Sequence, residues 1–165
     1  MEKELLTGKG IEQLLDMRRA SLAMHNGEPH SMELVARIDD VAYINDSRST
    51  FLDATLASLA RLENNVVWIC GPMENGVQQG HLRELLGQRV DAVIFFGNAD
   101  RDEDLSARSN AAVYSTAELR TAVFLARELA KPGTTVLFSP ACPSGNGFAN
   151  YEERGVEFKR AVRDL

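Results

Sequence analysis

A chain of 165 residues with 44% hydrophobic and 25% charged residues has the size and composition of a single soluble domain with a real core. Its net charge of −6 excludes a protein that grips nucleic acid through a basic surface. No apolar run approaches the ~20 residues of a membrane-spanning helix, so neither nucleic acid nor membrane is expected as a partner.

The N-terminus, Met1-Glu2-Lys3-Glu4-Leu5-Leu6, carries acidic residues and no long apolar segment, unlike a signal peptide, and a cytoplasmic location is expected. The two cysteines, Cys70 and Cys142, lie in or just after apolar runs without CxxC spacing. Reduced, structural thiols are expected, and no metal site.

In chain order, Ile11, Leu14, Leu15, Leu22 and Met24 have the spacing of an amphipathic helix over residues 11–24, which Gly27-Glu28-Pro29 ends. Residues 1–27 read as a helical extension and 28–165 as the main domain. Met32, Leu34 and Ala36 alternate with Glu33 and Arg37, with Val35 interrupting the polar face. Asp39-Asp40 reads as a turn and Val41–Ile44 as a second strand, giving a hairpin.

Strand then alternates with helix. Leu52, Leu56, Leu59 and Leu62 predict a helix over 52–62. Val66–Cys70 is a continuous apolar strand, 79–87 a short helix, Val90–Phe96 a buried strand, 101–108 a weak helix and Ala111–Tyr114 a short strand. Thr116 to Ala130 reads as a helix capped by Thr116 and stopped by Lys131-Pro132-Gly133. Thr134–Phe138 is the last strand and 148–164 the closing helix. Continuous apolar strands joined by helices predict an α/β fold, Rossmann-like, with a mainly parallel sheet flanked by helices and an N-terminal β-hairpin.

In such sheets ligands sit beyond the carboxyl ends of the strands. Here those ends carry Asn45-Asp46-Ser47-Arg48-Ser49-Thr50, Gly71-Pro72-Met73-Glu74-Asn75-Gly76, Gly97-Asn98-Ala99-Asp100 and Ser139 to Asn146. The Gly97 junction reads as a tight turn. His30 and His81, each alone at an element start, read as structural.

The segment Asn45 to Thr50, Asp53-Ala54-Thr55, the closing Ser139-Pro140-Ala141-Cys142-Pro143-Ser144, then Phe148, Asn150-Tyr151-Glu152-Glu153-Arg154-Gly155 and Phe158, in this order, resemble the C-terminal domain of Mur ligases, above all of their D-glutamate-adding members. The resemblance spans roughly residues 28–165 and implies a Rossmann-like domain from an ADP-forming ligase of peptidoglycan precursor (cell-wall) biosynthesis. In that family a first domain binds the UDP-sugar peptide, and a central P-loop domain binds ATP and Mg. The third, resembled here, brings the amino acid and closes over the nucleotide. This sequence holds no GxxxxGK[ST] motif, so no phosphate cradle of that kind. The cofactors and the ATP-binding domains are expected from elsewhere, in cis or in trans, with D-glutamate or a similar small carboxylate as ligand. No catalytic residue is assigned.

Carried over by position, the resemblance implies that Asp46 touches the nucleotide ribose, Arg48 meets the phosphates and Thr50 helps hold the amino acid. It implies that Ser144 serves the ligand's side-chain carboxylate and Tyr151 contributes a backbone group. Asn75 stands where the family has a lysine for the amino-acid carboxylate, beside Glu74, and Ser31 where it has an arginine. The residues themselves leave two readings open at the first loop, because Ser49 or Thr50 would also cap the helix from residue 52. Phe148 and Phe158 read as core, and Glu152, Glu153 and Arg154 as a solvated helix face. Two functions remain: the amino-acid-binding domain of a D-glutamate-adding ligase, not competent alone, or a non-catalytic binding or regulatory module with a degenerate site.

Overall fold

The computed structural model describes residues 28–73, 86, 89–97 and 110–165. The helices expected at 11–24 and 101–108, most of that at 79–87, and the extension 1–27 lie outside the described residues. Nine elements follow in order: β1 (Glu33–Ile38), β2 (Val41–Asn45), α1 (Leu52–Ala60), β3 (Val66–Cys70), β4 (Val90–Phe95), β5 (Ala112–Ser115), α2 (Leu119–Leu129), β6 (Thr135–Phe138) and α3 (Tyr151–Arg163). No described helix is long and apolar enough to cross a membrane.

The strands form one sheet in the order β1-β2-β6-β3-β4-β5. Among the described strands only the β1–β2 pair is antiparallel; the others run parallel. The hairpin turns on Asp39 and Asp40, with φ of 51° and 62°, the left-handed pair that a two-residue turn of matching twist requires and that aspartate tolerates. The register slips between Leu34 and Ala36, so Val35, the residue that broke the alternation, is the extra residue of a bulge. Bulge, Glu33 and Arg37 together blunt this edge of the sheet.

Every residue of β2, β3 and β6 is buried, because helices cover both faces. On one face Leu52 and Leu59 of α1 pack on Ile44, Trp68, Val93 and Leu137. On the other, Leu119, Ala122, Val123 and Ala126 of α2 and Phe158, Ala161 and Val162 of α3 pack on Tyr43, Ile69, Ile94 and Phe138. Phe138 stacks on Phe158 at 4.9 Å between centroids.

Some boundaries differ from the pattern. α2 starts at Leu119, with Glu118 at the N-cap position and no side-chain cap. Thr116 does not cap it; its Oγ1 donates to Glu118 O at 3.0 Å. α3 starts at Tyr151, three residues after the expected Phe148, because Asn150 is extended, with φ of −154° and ψ of 175°; Asn146 and Gly147, with left-handed φ of 54° and 94°, form the turn before it. Asn150 caps it, its Oδ1 accepting from Glu153 N at 2.8 Å, while Glu153 Oε2 accepts from Ala149 N at 2.7 Å.

This topology positions a site. The chain leaves β2 toward α1 on one face and leaves β6, its sheet neighbour, toward α3 on the other. Two adjacent strands whose connections diverge to opposite faces leave a crevice at their carboxyl ends, where open α/β sheets bind ligands. The segments at that crevice are Asn45–Thr50 and Ser139–Gly147.

Candidate functional site

Both segments are tied down by buried polar contacts. The Asp46 backbone N–H donates to Phe138 O at 2.8 Å. Its carboxylate, in a residue 2% exposed, accepts from Met32 N at 3.1 Å, Ser49 Oγ at 2.7 Å and Ser139 Oγ at 2.8 Å. Ser139 Oγ also lies 2.7 Å from Thr55 Oγ1, and its carbonyl accepts from Trp68 Nε1 at 2.8 Å. One carboxylate thus gathers the hairpin, the first loop and the closing loop. The sequence marked Asp53-Ala54-Thr55 as a motif but gave no role to Thr55, the third member of this chain of hydroxyls.

The backbone is bent where the loops meet. Ala141 has φ of 57° and Met32 of 47°, conformations that cost a non-glycine residue about 1 kcal/mol or more. Both are held by bonds across the crevice, Ala141 N to Ser49 O at 3.1 Å and Met32 N to Asp46.

α1 has no side-chain cap. Ser49 Oγ is committed to Asp46, and Phe51 takes the N-cap position, so the capping role expected of Ser49 or Thr50 is not what the structure contains. In front of this helix end lies a cavity of about 290 Å³, lined by Thr50, Phe51, Asp53, Met73 and Cys142 among others. Phe51 stands 61% exposed at its edge. The lining is largely apolar, with Thr50 and Asp53 supplying its polar side chains.

Arg154 corrects the reading of a solvated helix face. Glu152 and Glu153 are exposed, but Arg154 is 1% exposed. Its Nε donates to Ser47 Oγ at 3.2 Å and Nη2 to Ser47 O at 3.0 Å. Its Nη1 donates to Cys142 O and Pro143 O, each at 3.2 Å. Burial pushes the guanidinium pKa down, with Cys142 countering part of that; arginine remains a cation regardless. Helical periodicity offered a faint signal: Arg154 precedes Phe158 and Ala161 by four and seven residues, on the face that packs inward.

A second network joins the hairpin to α3. Asn45 Nδ2 lies 2.9 Å from His30 Nδ1 and donates to Glu33 Oε2 at 3.0 Å. Lys159 Nζ donates to Glu33 Oε1 at 3.0 Å. His30 packs against Gly155, where a Cβ would lie 2.1 Å from Nδ1. Burial, then Lys159, holds the His30 pKa below its ordinary value. The structural reading of His30 agrees with this placement; His81 lies outside the described residues. Burial pushes the Glu33 carboxyl up, but Lys159, the His30 N–H and Asn45 outweigh it, and its pKa is lowered.

Cys70 and Cys142 are free and buried. Burial raises both thiol pKa values, that of Cys70 strongly, which keeps them protonated and poorly nucleophilic. Gly97 takes φ of 77°, and a Cβ there would lie 2.9 Å from Asn146 Nδ2, so it serves both a turn and the seating of the closing loop. Among the described residues no three His, Cys, Asp or Glu side chains are placed to hold a metal ion.

The family model described as Mur ligase, glutamate ligase domain, matches residues 31–142, more than half of the chain and from the hairpin to the closing loop. The chain belongs to this family. Across 99% of its length it is 38% identical to UDP-N-acetylmuramoylalanine--D-glutamate ligase of Christiangramia forsetii, and across 83% it is 40% identical to the protein of that name from a Geobacter species. It spans 38% of the length of the first and 30% of the second. The MurF ligase of Thermotoga maritima, solved with ADP, shares the fold over 92% of this chain and 39% of its own, with a TM-score of 0.50 at 15% identity.

Within this Mur ligase domain the residues singled out by motif divide. Thr50 lines the cavity. Ser144 follows directly on the lining residue Pro143 and is half-buried. Tyr151 reaches the same cluster through its carbonyl, which accepts from Ser47 Oγ at 2.7 Å. Asp46 sits beneath both loops with its carboxylate engaged by the chain itself. Arg48 is exposed and ion-paired with Glu28. It does not line the cavity. Asn75 and Glu74 lie outside the described residues.

Proposed function

We propose that this chain is the amino-acid-binding, nucleotide-closing domain of a D-glutamate-adding ligase of cell-wall precursor synthesis, unable to form the amide bond by itself. The observation that carries this reading is the cavity of about 290 Å³ between Thr50 and the closing loop, on a domain of this family and at the crevice its topology creates. A volume of that order suits a single amino acid, near the small end of ligand pockets. Thr50 and Ser144 supply hydroxyls, and the uncapped start of α1 supplies backbone N–H groups of the kind that hold carboxylates. Arg48 is this chain's cation for phosphates, whereas the Asp46 carboxylate, implied by the resemblance to touch the ribose, is taken up by Met32, Ser49 and Ser139 and positions the loop instead. ATP, Mg and the UDP-sugar substrate are expected on the other domains, in a cytoplasmic enzyme. Gathering phosphates and a carboxylate in one cleft requires that closure.

A second reading, a binding module with a weakened site, is favoured by Ser31 and Asn75 where the family carries cations, and by Arg48 being engaged with Glu28. A missing cation beside a carboxylate costs on the order of 1.5–3 kcal/mol. The two readings separate in one assay of the purified chain with ATP, Mg and the UDP-sugar substrate, its melting temperature followed against D-glutamate and L-glutamate. The first expects no phosphate release and a rise in melting temperature with millimolar D-glutamate, larger than with the L-isomer. Phosphate release by the chain alone, or equal response to both isomers, contradicts it.

A further inference from the structure

Arg154 is a cation placed where cations are expensive. It is 1% exposed, and among the described residues no carboxylate pairs with it. Its partners are neutral: Ser47 Oγ and O, Cys142 O and Pro143 O. A buried charge without a counter-charge is retained only when its hydrogen bonds do something a neutral side chain cannot. What these do is turn peptide groups. In a trans peptide the C=O and the following N–H point in opposite directions, and no described peptide is cis.

The first loop shows the consequence directly. Ser47 O faces the guanidinium, and the next N–H, that of Arg48, points away and donates to His30 O at 3.0 Å. The same logic applies in the closing loop. Pro143 O faces the guanidinium, so the N–H of Ser144 is turned the other way. Among the described residues that N–H has no hydrogen-bond partner. Pro143 itself has no N–H, so capture of the Cys142 carbonyl orients no donor, and Ser144 supplies the N–H that follows the captured pair. The fork also bridges Ser47 to Cys142 and Pro143, setting the gap between the two loops.

We propose that Arg154 is the positioning residue of the closing loop: by capturing the Pro143 carbonyl, and anchoring the loop through that of Cys142, it turns the Ser144 N–H outward, pairing it with the Ser144 hydroxyl as a two-donor cradle for a ligand carboxylate. The uncompensated positive charge behind the loop favours an anion in front of it. A lysine cannot replace it, because one ammonium does not span Ser47 and two successive carbonyls in the guanidinium's planar geometry. The inference rests on the amino-acid-binding reading for the identity of the ligand, but not for the existence of the cradle.

The test is a titration of the 15N-labelled chain with D-glutamate and, separately, with glutarate, which offers carboxylates without an amine. The amide of Ser144 is followed, and the indole N–H of Trp68, bonded to Ser139 O, reports an intact core. In the unsubstituted chain the Ser144 amide is expected to move downfield with either ligand. In Arg154→Lys, with the indole signal unmoved, that response is expected to vanish and affinity to fall at least tenfold. Arg154→Gln, which keeps hydrogen-bonding capacity without charge, is expected to give the same result, and binding within twofold by this variant would overturn the role given to the charge. A Ser144 amide unmoved by both ligands in the unsubstituted chain overturns the inference, as does a folded Arg154→Lys variant that binds within twofold. Response to glutarate but not to D-glutamate contradicts the assignment of the amino acid and leaves the cradle standing.

Discussion

Among single residues, the side chains that shape the site find their partners inside the molecule. Asp46 accepts three hydrogen bonds from three different segments, and bonds to a charged acceptor are worth about 1.5–3 kcal/mol each. Asp46→Asn keeps the shape and removes the charge. A loss of about 2 kcal/mol is expected, read in urea as a lower midpoint with unchanged slope. An unchanged midpoint would mean that the carboxylate does not hold the loops. Glycines give a paired test of packing. At Gly155 a Cβ would lie 2.1 Å from His30 Nδ1, and Gly155→Ala is expected to cost about 1–3 kcal/mol, as overpacking does, although alanine favours helix. At Gly145 nothing lies within 4 Å of such a Cβ, and Gly145→Ala is expected to be neutral or stabilising by up to about 1 kcal/mol. The contrast between the two checks the contact of Gly155 with His30 in one denaturation series.

At the scale of elements, α3 is held to the hairpin by His30, Asn45, Glu33 and Lys159, and this contact has a pH dependence of fixed sign. The pKa of His30 is depressed by burial and then by Lys159, while Glu33 and Glu152 oppose. A depressed folded-state pKa contributes stability that is complete above the unfolded value of about 6.5 and is lost as pH falls below it. Glu33, also depressed, adds a second loss below its unfolded value of about 4.3. The melting temperature is therefore expected to hold steady from pH 8 to 7 and to fall in two stages on acidification. In His30→Gln the first stage is expected to vanish. A rise in stability between pH 7 and 6 would contradict the placement of His30. This network was not legible in the sequence, because its members are scattered along the chain and none belongs to a periodic pattern. The strands and helices were legible. Uninterrupted runs such as Val66–Cys70 are what a sheet covered on both faces selects; Val35 broke the alternation in the sequence, but only the register shift shows that it forms a bulge. Helix starts were read less well: Thr116 and Ser49 have good capping chemistry, but their hydroxyls found other partners. Arg154 was misread because charge usually means solvent, and only the fold brings Ser47 to it from 107 positions away in sequence.

At the scale of the whole molecule, one topological fact organises the rest: β6 is inserted between β2 and β3, so the last loop and the first meet over the carboxyl ends of the sheet. The motifs that carry the family resemblance, remote in sequence, are neighbours there. Thr50 and the closing loop frame one cavity, whereas Arg48 faces solvent. Ligand binding at this cavity is decided by a calorimetric titration of the chain with D-glutamate, repeated with Thr50→Val. One weak site is expected in the chain, with a dissociation constant of roughly millimolar order and so about −4 kcal/mol, and at least a fivefold loss in the variant. No heat at ten millimolar ligand, or equal binding by Thr50→Val, would contradict it.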